Sequence, residues 1–121
     1  MRILENWQYK YIEKCLFNYK QLLNSSLETE KKMVLAIEEA CNYFKDTQHE
    51  IMLKEFYFNR NNYTKRYTVT GHFRYVCTQL LCTEEPNGYV IRREIIYRIA
   101  MICFELHIFK SKVSKNIDKM L

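Results

Sequence analysis

The sequence predicts an all-α protein, and three observations carry that reading. Its 121 residues include only 2 Gly and 1 Pro, too few turn residues for a sandwich, a barrel or a Rossmann-type sheet. Apolar residues recur at steps of three and four along most of the chain, which is the spacing of one helix face. Hydrophobic residues make up 48% and charged residues 27%, a balance that builds one globular core and excludes a disordered chain. A single helical domain over 1–121 follows.

The first helix is expected from about Asn6 to Leu23, where Trp7, Tyr11, Cys15, Tyr19 and Leu22 form an apolar stripe widened by Ile12 and Leu16. Asn24-Ser25-Ser26 breaks the pattern, and Ser25 with Glu28 has the spacing of a capping box. A second helix then runs to about Lys45 with Met33, Ile37, Ala40, Cys41 and Phe44 on one face. These two helices should pair as an antiparallel hairpin. Thr47 and Glu50 offer a second capping box before a third helix containing Ile51, Met52, Glu55, Phe56 and Tyr57. That helix ends at the polar cluster Asn59-Arg60-Asn61-Asn62. Tyr63 to Gly71 reads as a connector. A short helix follows from about His72 through Leu80, then a break at Leu81-Cys82-Thr83-Glu84. The last helix starts near Glu85-Pro86, where proline is tolerated and a carboxylate complements the helix dipole. It continues to about Phe109 around a stripe of Ile91, Ile95, Ile99, Ile102 and Leu106. Should that stripe lie open in the monomer, it would form a homodimer interface.

Charge is distributed unevenly along this layout. Residues 1–60 carry nine basic and nine acidic side chains, whereas residues 61–121 carry ten basic and five acidic, which supplies the net +5. A basic half on a small helical protein points to a polyanion, most often nucleic acid, with a solvated basic surface as the ordinary alternative. No signal peptide and no apolar run of membrane-spanning length is read, so the expectation is a cytoplasmic protein without a membrane partner. The 5 cysteines fit no zinc or redox spacing, which predicts reduced, buried thiols and no cofactor. His49, His72 and His107 are scattered over three segments, the adjacent carboxylates Glu38-Glu39 and Glu84-Glu85 diverge on a helix, and Gly71 and Gly88 stand alone. Nothing nominates a metal site, a phosphate loop or a catalytic pair, and an enzyme is not expected.

The stretch from Phe73 to Ala100 has the layout of a helix-turn-helix: a short helix, a break of about four residues, and a second helix bearing basic residues. On a helical wheel Tyr89, Arg92 and Arg93 are read as lying opposite the isoleucine stripe, where arginine can pair with guanine and Tyr89 can touch phosphate or a thymine methyl. Gly88 is read as allowing close backbone approach. Arg74, Lys65 and Arg66 are candidate phosphate clamps, and Arg98 is a further one. The domain then divides into a helical support (1–60), the helix-turn-helix region (61–110) and a basic tail (111–121).

Tyr75-Val76-Cys77-Thr78-Gln79-Leu80-Leu81, with Tyr89-Val90-Ile91-Arg92-Arg93-Glu94-Ile95-Ile96-Tyr97-Arg98-Ile99-Ala100, resembles the C-terminal part of phage ArpU/RinA-like transcriptional regulators, whose helix-turn-helix is similar to region four of sigma factors. Ala36 to Phe44 resembles the family's middle helix and Asn6 to Leu23 its opening helix. Glu84-Glu85-Pro86-Asn87 stands where such regulators carry Ser or Thr leading into the recognition helix. The resemblance implies a DNA-binding regulator of a phage or mobile element, an activator of late genes, working on double-stranded DNA and with host RNA polymerase in a bacterial cytoplasm. The alternative from another class is a small phage-encoded protein that binds a host protein and uses the helix-turn-helix as scaffold; the 15% aromatic content suits such an interface too.

Overall fold

A 21-residue helix, α6 (Glu85–Glu105), is the element on which most of the other helices pack. The computed structural model describes residues 4–109, so the expected basic tail 111–121 lies outside the described residues. Ahead of α6 come α1 (Asn6–Phe17), α2 (Tyr19–Leu22), α3 (Glu28–Tyr43), α4 (Gln48–Ile51) and α5 (Val69–Tyr75). Two of these continue as π-helix, α4 through Met52–Phe58 and α5 through Val76–Leu80, and a 3-10 turn spans Arg60–Tyr63. Among the described residues there is no strand, and the fold is all-α.

Local chemistry explains where the helices begin and end. At the start of α1, Glu5 N–H donates to Gln8 Oε1 at 2.9 Å, which satisfies one of the free donors of a helix N-terminus. The Ser25/Glu28 capping box is not formed. Ser25 Oγ instead accepts from Leu27 N at 3.1 Å and donates to Glu30, so it orders the turn just before α3. Thr47 does occupy the cap position of α4, but its hydroxyl donates backwards to Phe44 O at 2.6 Å. Thr68 caps α5 by accepting from Gly71 N at 3.1 Å. Asp46, Cys82 and His107 adopt positive φ (64°, 52° and 60°) at the chain reversals, positions that glycine fills in most proteins.

The apolar faces differ from the sequence reading in their rotation. On α1 the buried residues are Gln8, Ile12, Cys15 and Leu16, while Trp7 at the edge of the expected stripe is exposed. The stripe is therefore turned by one position towards Ile12 and Leu16. Helix α3 buries Met33, Ala36, Ile37 and Ala40, close to expectation, with Cys41 only half-buried. The expected hairpin of the first two helices is replaced by a different arrangement. Both α1 and α3 have α6 as their main neighbour. Leu4 lines a groove with Met101 and Phe104 while Glu13 meets Arg92, and Met33 Sδ lies 3.9 Å from Cys103 Sγ while Arg98 lies over Tyr43, so both helices run antiparallel to α6.

Because neighbours flank it on several sides, α6 buries two rows rather than one. Ile91, Ile95, Ile99 and Ile102 are buried as expected, and Ile96, Ala100 and Cys103 join them; Leu106 is half-buried. The π-helical turn after α4 has a related cause. Met52, Leu53, Phe56 and Tyr57 are all fully buried, and the wider turn brings residues four apart nearly into line, aiming both adjacent pairs inward. Gly88 lies against α5, where an added Cβ would stand 2.3 Å from Cys77 Sγ and 3.0 Å from Phe73 Cζ. Its missing side chain serves helix packing, and not the approach of an outside backbone that the sequence reading gave it.

Candidate nucleic-acid interface

Seven residues were expected at a DNA contact, and the structure distributes them over several environments. Arg92 is turned into the protein. Its Nη2 donates to Glu13 Oε2 at 2.7 Å, its Nε donates to Tyr57 Oη at 3.3 Å, and Tyr57 Oη donates to the same Glu13 oxygen at 2.5 Å. The guanidinium carbon stands 5.0 Å, 4.8 Å and 5.6 Å from the ring centres of Phe56, Phe73 and Tyr89. The side chains of Arg92 and Glu13 are only 16% and 18% exposed. Burial alone would depress the arginine pKa, but Tyr57 and Glu13 more than offset it and raise it. Burial likewise lifts the Tyr57 phenol well above its ordinary value, keeping it a neutral donor. Arg92 is thus a core cation joining α1, the π-turn after α4, and α6. The sequence reading of Arg92 as a groove contact is corrected.

Arg74 is exposed but engaged: its Nε donates to Glu85, which holds its pKa above the usual value. Arg98 lays its guanidinium 3.8 Å from the ring centre of Tyr43 and has a buried, unpartnered Nε. It lines an apolar groove of about 780 Å³ together with Tyr43, Tyr97, Met101 and Phe104. Tyr89 packs its ring 4.6 Å from Phe73 and leaves 45% of its surface in solvent, while Arg93 is exposed. The face of α6 that holds Tyr89 and Arg93 also shows Val90 and Glu94, and Glu84 is exposed at its start. That is a mixed surface.

Lys65 and Arg66 are the two that the structure brings together. Both line a cleft of about 460 Å³ with Tyr63, Tyr67 and Tyr75. The cleft is a set turn. Arg66 N and Tyr67 N both donate to Tyr63 O, at 3.1 and 2.9 Å, and Thr64 Oγ1 donates to Asn61 O at 3.0 Å. Arg60 fastens it from below, its Nη2 donating to Tyr67 O at 2.9 Å and its Nη1 lying 3.3 Å from His72 Nδ1. Tyr63 stacks on His72 at 4.1 Å and Tyr67 stacks on Tyr75 at 5.4 Å. Burial and the Arg60 charge lower the His72 pKa, so the ring under Tyr63 is neutral at pH 7. Neither Lys65 nor Arg66 has an acidic partner among the described residues. The sequence reading gave these tyrosines no part in a contact, although Tyr63-x-x-x-Tyr67 is visible as an i, i+4 pair.

Cys15, Cys77 and Cys103 are buried, Cys41 half-buried and Cys82 exposed, all as free thiols. Among the described residues no three His, Cys, Asp or Glu side chains gather as a metal site, and no helix is long and apolar enough to cross a membrane. No protein-family model, curated protein or solved structure matches the chain.

Proposed function

We propose that the protein binds double-stranded DNA and contacts it through the connector before α5, with Lys65 and Arg66 on phosphates. The observation that carries this reading is that two cations without acidic partners stand at the rim of a cleft walled by three tyrosines. Of the candidate arginines elsewhere, Arg92 is taken by Glu13 and Arg74 by Glu85, while Arg93 is exposed on the mixed face of α6. Charge of this kind, unneutralised and held on a fixed turn, is what phosphate contact requires. Arg93 and Tyr89 are secondary contacts in this reading. The regulatory role, an activator of late genes in a phage or mobile element acting in a bacterial cytoplasm with host RNA polymerase, rests on the resemblance to ArpU/RinA-like regulators. A host-protein partner is the second reading, favoured by the apolar groove that contains Tyr43 and Met101, both more than half exposed.

The test is a salt series on duplex binding. Lys65→Ala and Arg66→Ala should each reduce the slope of log K against log salt by about one unit, uniformly across sequences. Wild-type binding and slope in a folded double variant would reject the contact surface.

A further inference from the structure

The cleft offers more than charge. Tyr63, Tyr67 and Tyr75 surround one another with ring centres 5.4–6.3 Å apart, yet all three remain partly exposed and line an opening. Three aromatic rings gathered at a surface keep part of their area in solvent, which a partner with a flat apolar face can cover. Asn61 and Asn62 are both exposed on the same opening, and their side-chain amides have no hydrogen-bond partner among the described residues. Each amide presents a donor beside an acceptor, the pattern that pairs with the edge of a base. Lys65 and Arg66 add positive charge at the same rim. The volume, about 460 Å³, falls in the range of roughly 300–1,000 Å³ typical of small-molecule sites.

An aromatic wall, free amides and unpaired cations match the three parts of one ligand class: a base face, a base edge and a phosphate. We propose that this cleft holds a single unstacked nucleotide of the bound nucleic acid. Its base lies against Tyr67 and Tyr75, and its phosphate meets Lys65 and Arg66. This rests on the reading that the same turn contacts DNA and adds that one base leaves the stack there. A base has a π-face whatever its identity, so stacking at this wall tolerates any sequence.

The experiment uses the full chain and three duplexes of equal length: one fully paired, one with a single unpaired thymidine, and one with an abasic residue at that position. Wild type should bind the thymidine duplex about tenfold more tightly than the other two, the scale of one base–aromatic stack. Tyr67→Leu should remove that preference, and Tyr67→Phe should retain it because the ring is kept. Circular dichroism establishes that each variant folds. Equal affinity of wild type for all three duplexes overturns the nucleotide site and leaves the duplex contact standing. Binding to none of them overturns both.

Discussion

Arg92→Ala separates a structural arginine from a DNA-reading one. The substitution leaves Glu13, 18% exposed, without its cation, and with the Tyr57 hydroxyl as its remaining side-chain hydrogen-bond partner among the described residues. Removing one member of a buried pair costs about 3–5 kcal/mol, and the residual exposure of this pair places the expected loss near the bottom of that range. The contacts of the guanidinium with Phe56, Phe73 and Tyr89 contribute to the same total, since cation–ring pairs are worth about 0.5–2 kcal/mol. A net loss of about 3 kcal/mol follows, which lowers the melting temperature of a domain this size by roughly 10 °C or more. Urea unfolding followed by circular dichroism measures it. Arg93→Ala, at an exposed position, should stay within about 0.5 kcal/mol of wild type. The pair Glu13→Gln with Arg92→Met should recover part of the loss, because no buried charge is then left alone. An Arg92→Ala protein as stable as wild type would refute the inward placement of this side chain.

Gly88→Ala should destabilise by about 1–2 kcal/mol despite the helix propensity it gains, because its Cβ meets Cys77 Sγ at 2.3 Å; adding Cys77→Ala should relieve most of the loss in the same unfolding assay. His72 has its pKa lowered by burial and by Arg60, so the unfolded chain takes up the proton first. The His72 contribution to stability should be level above pH 7, and stability should decline as pH falls through the ordinary value of 6.5. His72→Phe, which keeps a ring beneath Tyr63, should flatten that part of the profile. Burial raises the pKa of Cys15, Cys41 and Cys77, and takes that of Cys103 to about 12. Cys82 is exposed, so a thiol reagent at pH 8 should modify one thiol rapidly in the native protein and the remainder only on unfolding. A Cys82→Ser protein should lack the fast phase.

The fold class and most helix positions were legible because turn residues are scarce and the apolar spacing is clear. What the spacing hid was the number of neighbours each helix has. Reading α6 as a helix with one buried stripe put Arg92 on the solvent side, yet Ile96 lies four residues on and Ile99 seven, so Arg92 heads a second buried row. Recognising Arg92-Ile96-Ile99-Cys103 as a row would have drawn Arg92 inward. Its partner Glu13 is 79 positions away, and no local pattern links them. The π-turns were illegible for a similar reason, since tertiary packing of Met52-Leu53 and Phe56-Tyr57 sets them. Lys65 and Arg66 were legible as charge. Their significance depends on Tyr75 folding back beside Tyr63 and Tyr67, an approach that Arg60 and His72 organise from separate segments.

The central claim is that duplex DNA meets the turn before α5 and not the face of α6. Backbone amide shifts of the labelled protein, followed by NMR as duplex is added at moderate salt, test it residue by residue. The account predicts that the largest changes fall on residues 61–67 and on Tyr75, with smaller ones at Tyr89 and Arg93. Changes confined to Tyr89, Val90 and Arg93, with Lys65 and Arg66 unmoved, would contradict it.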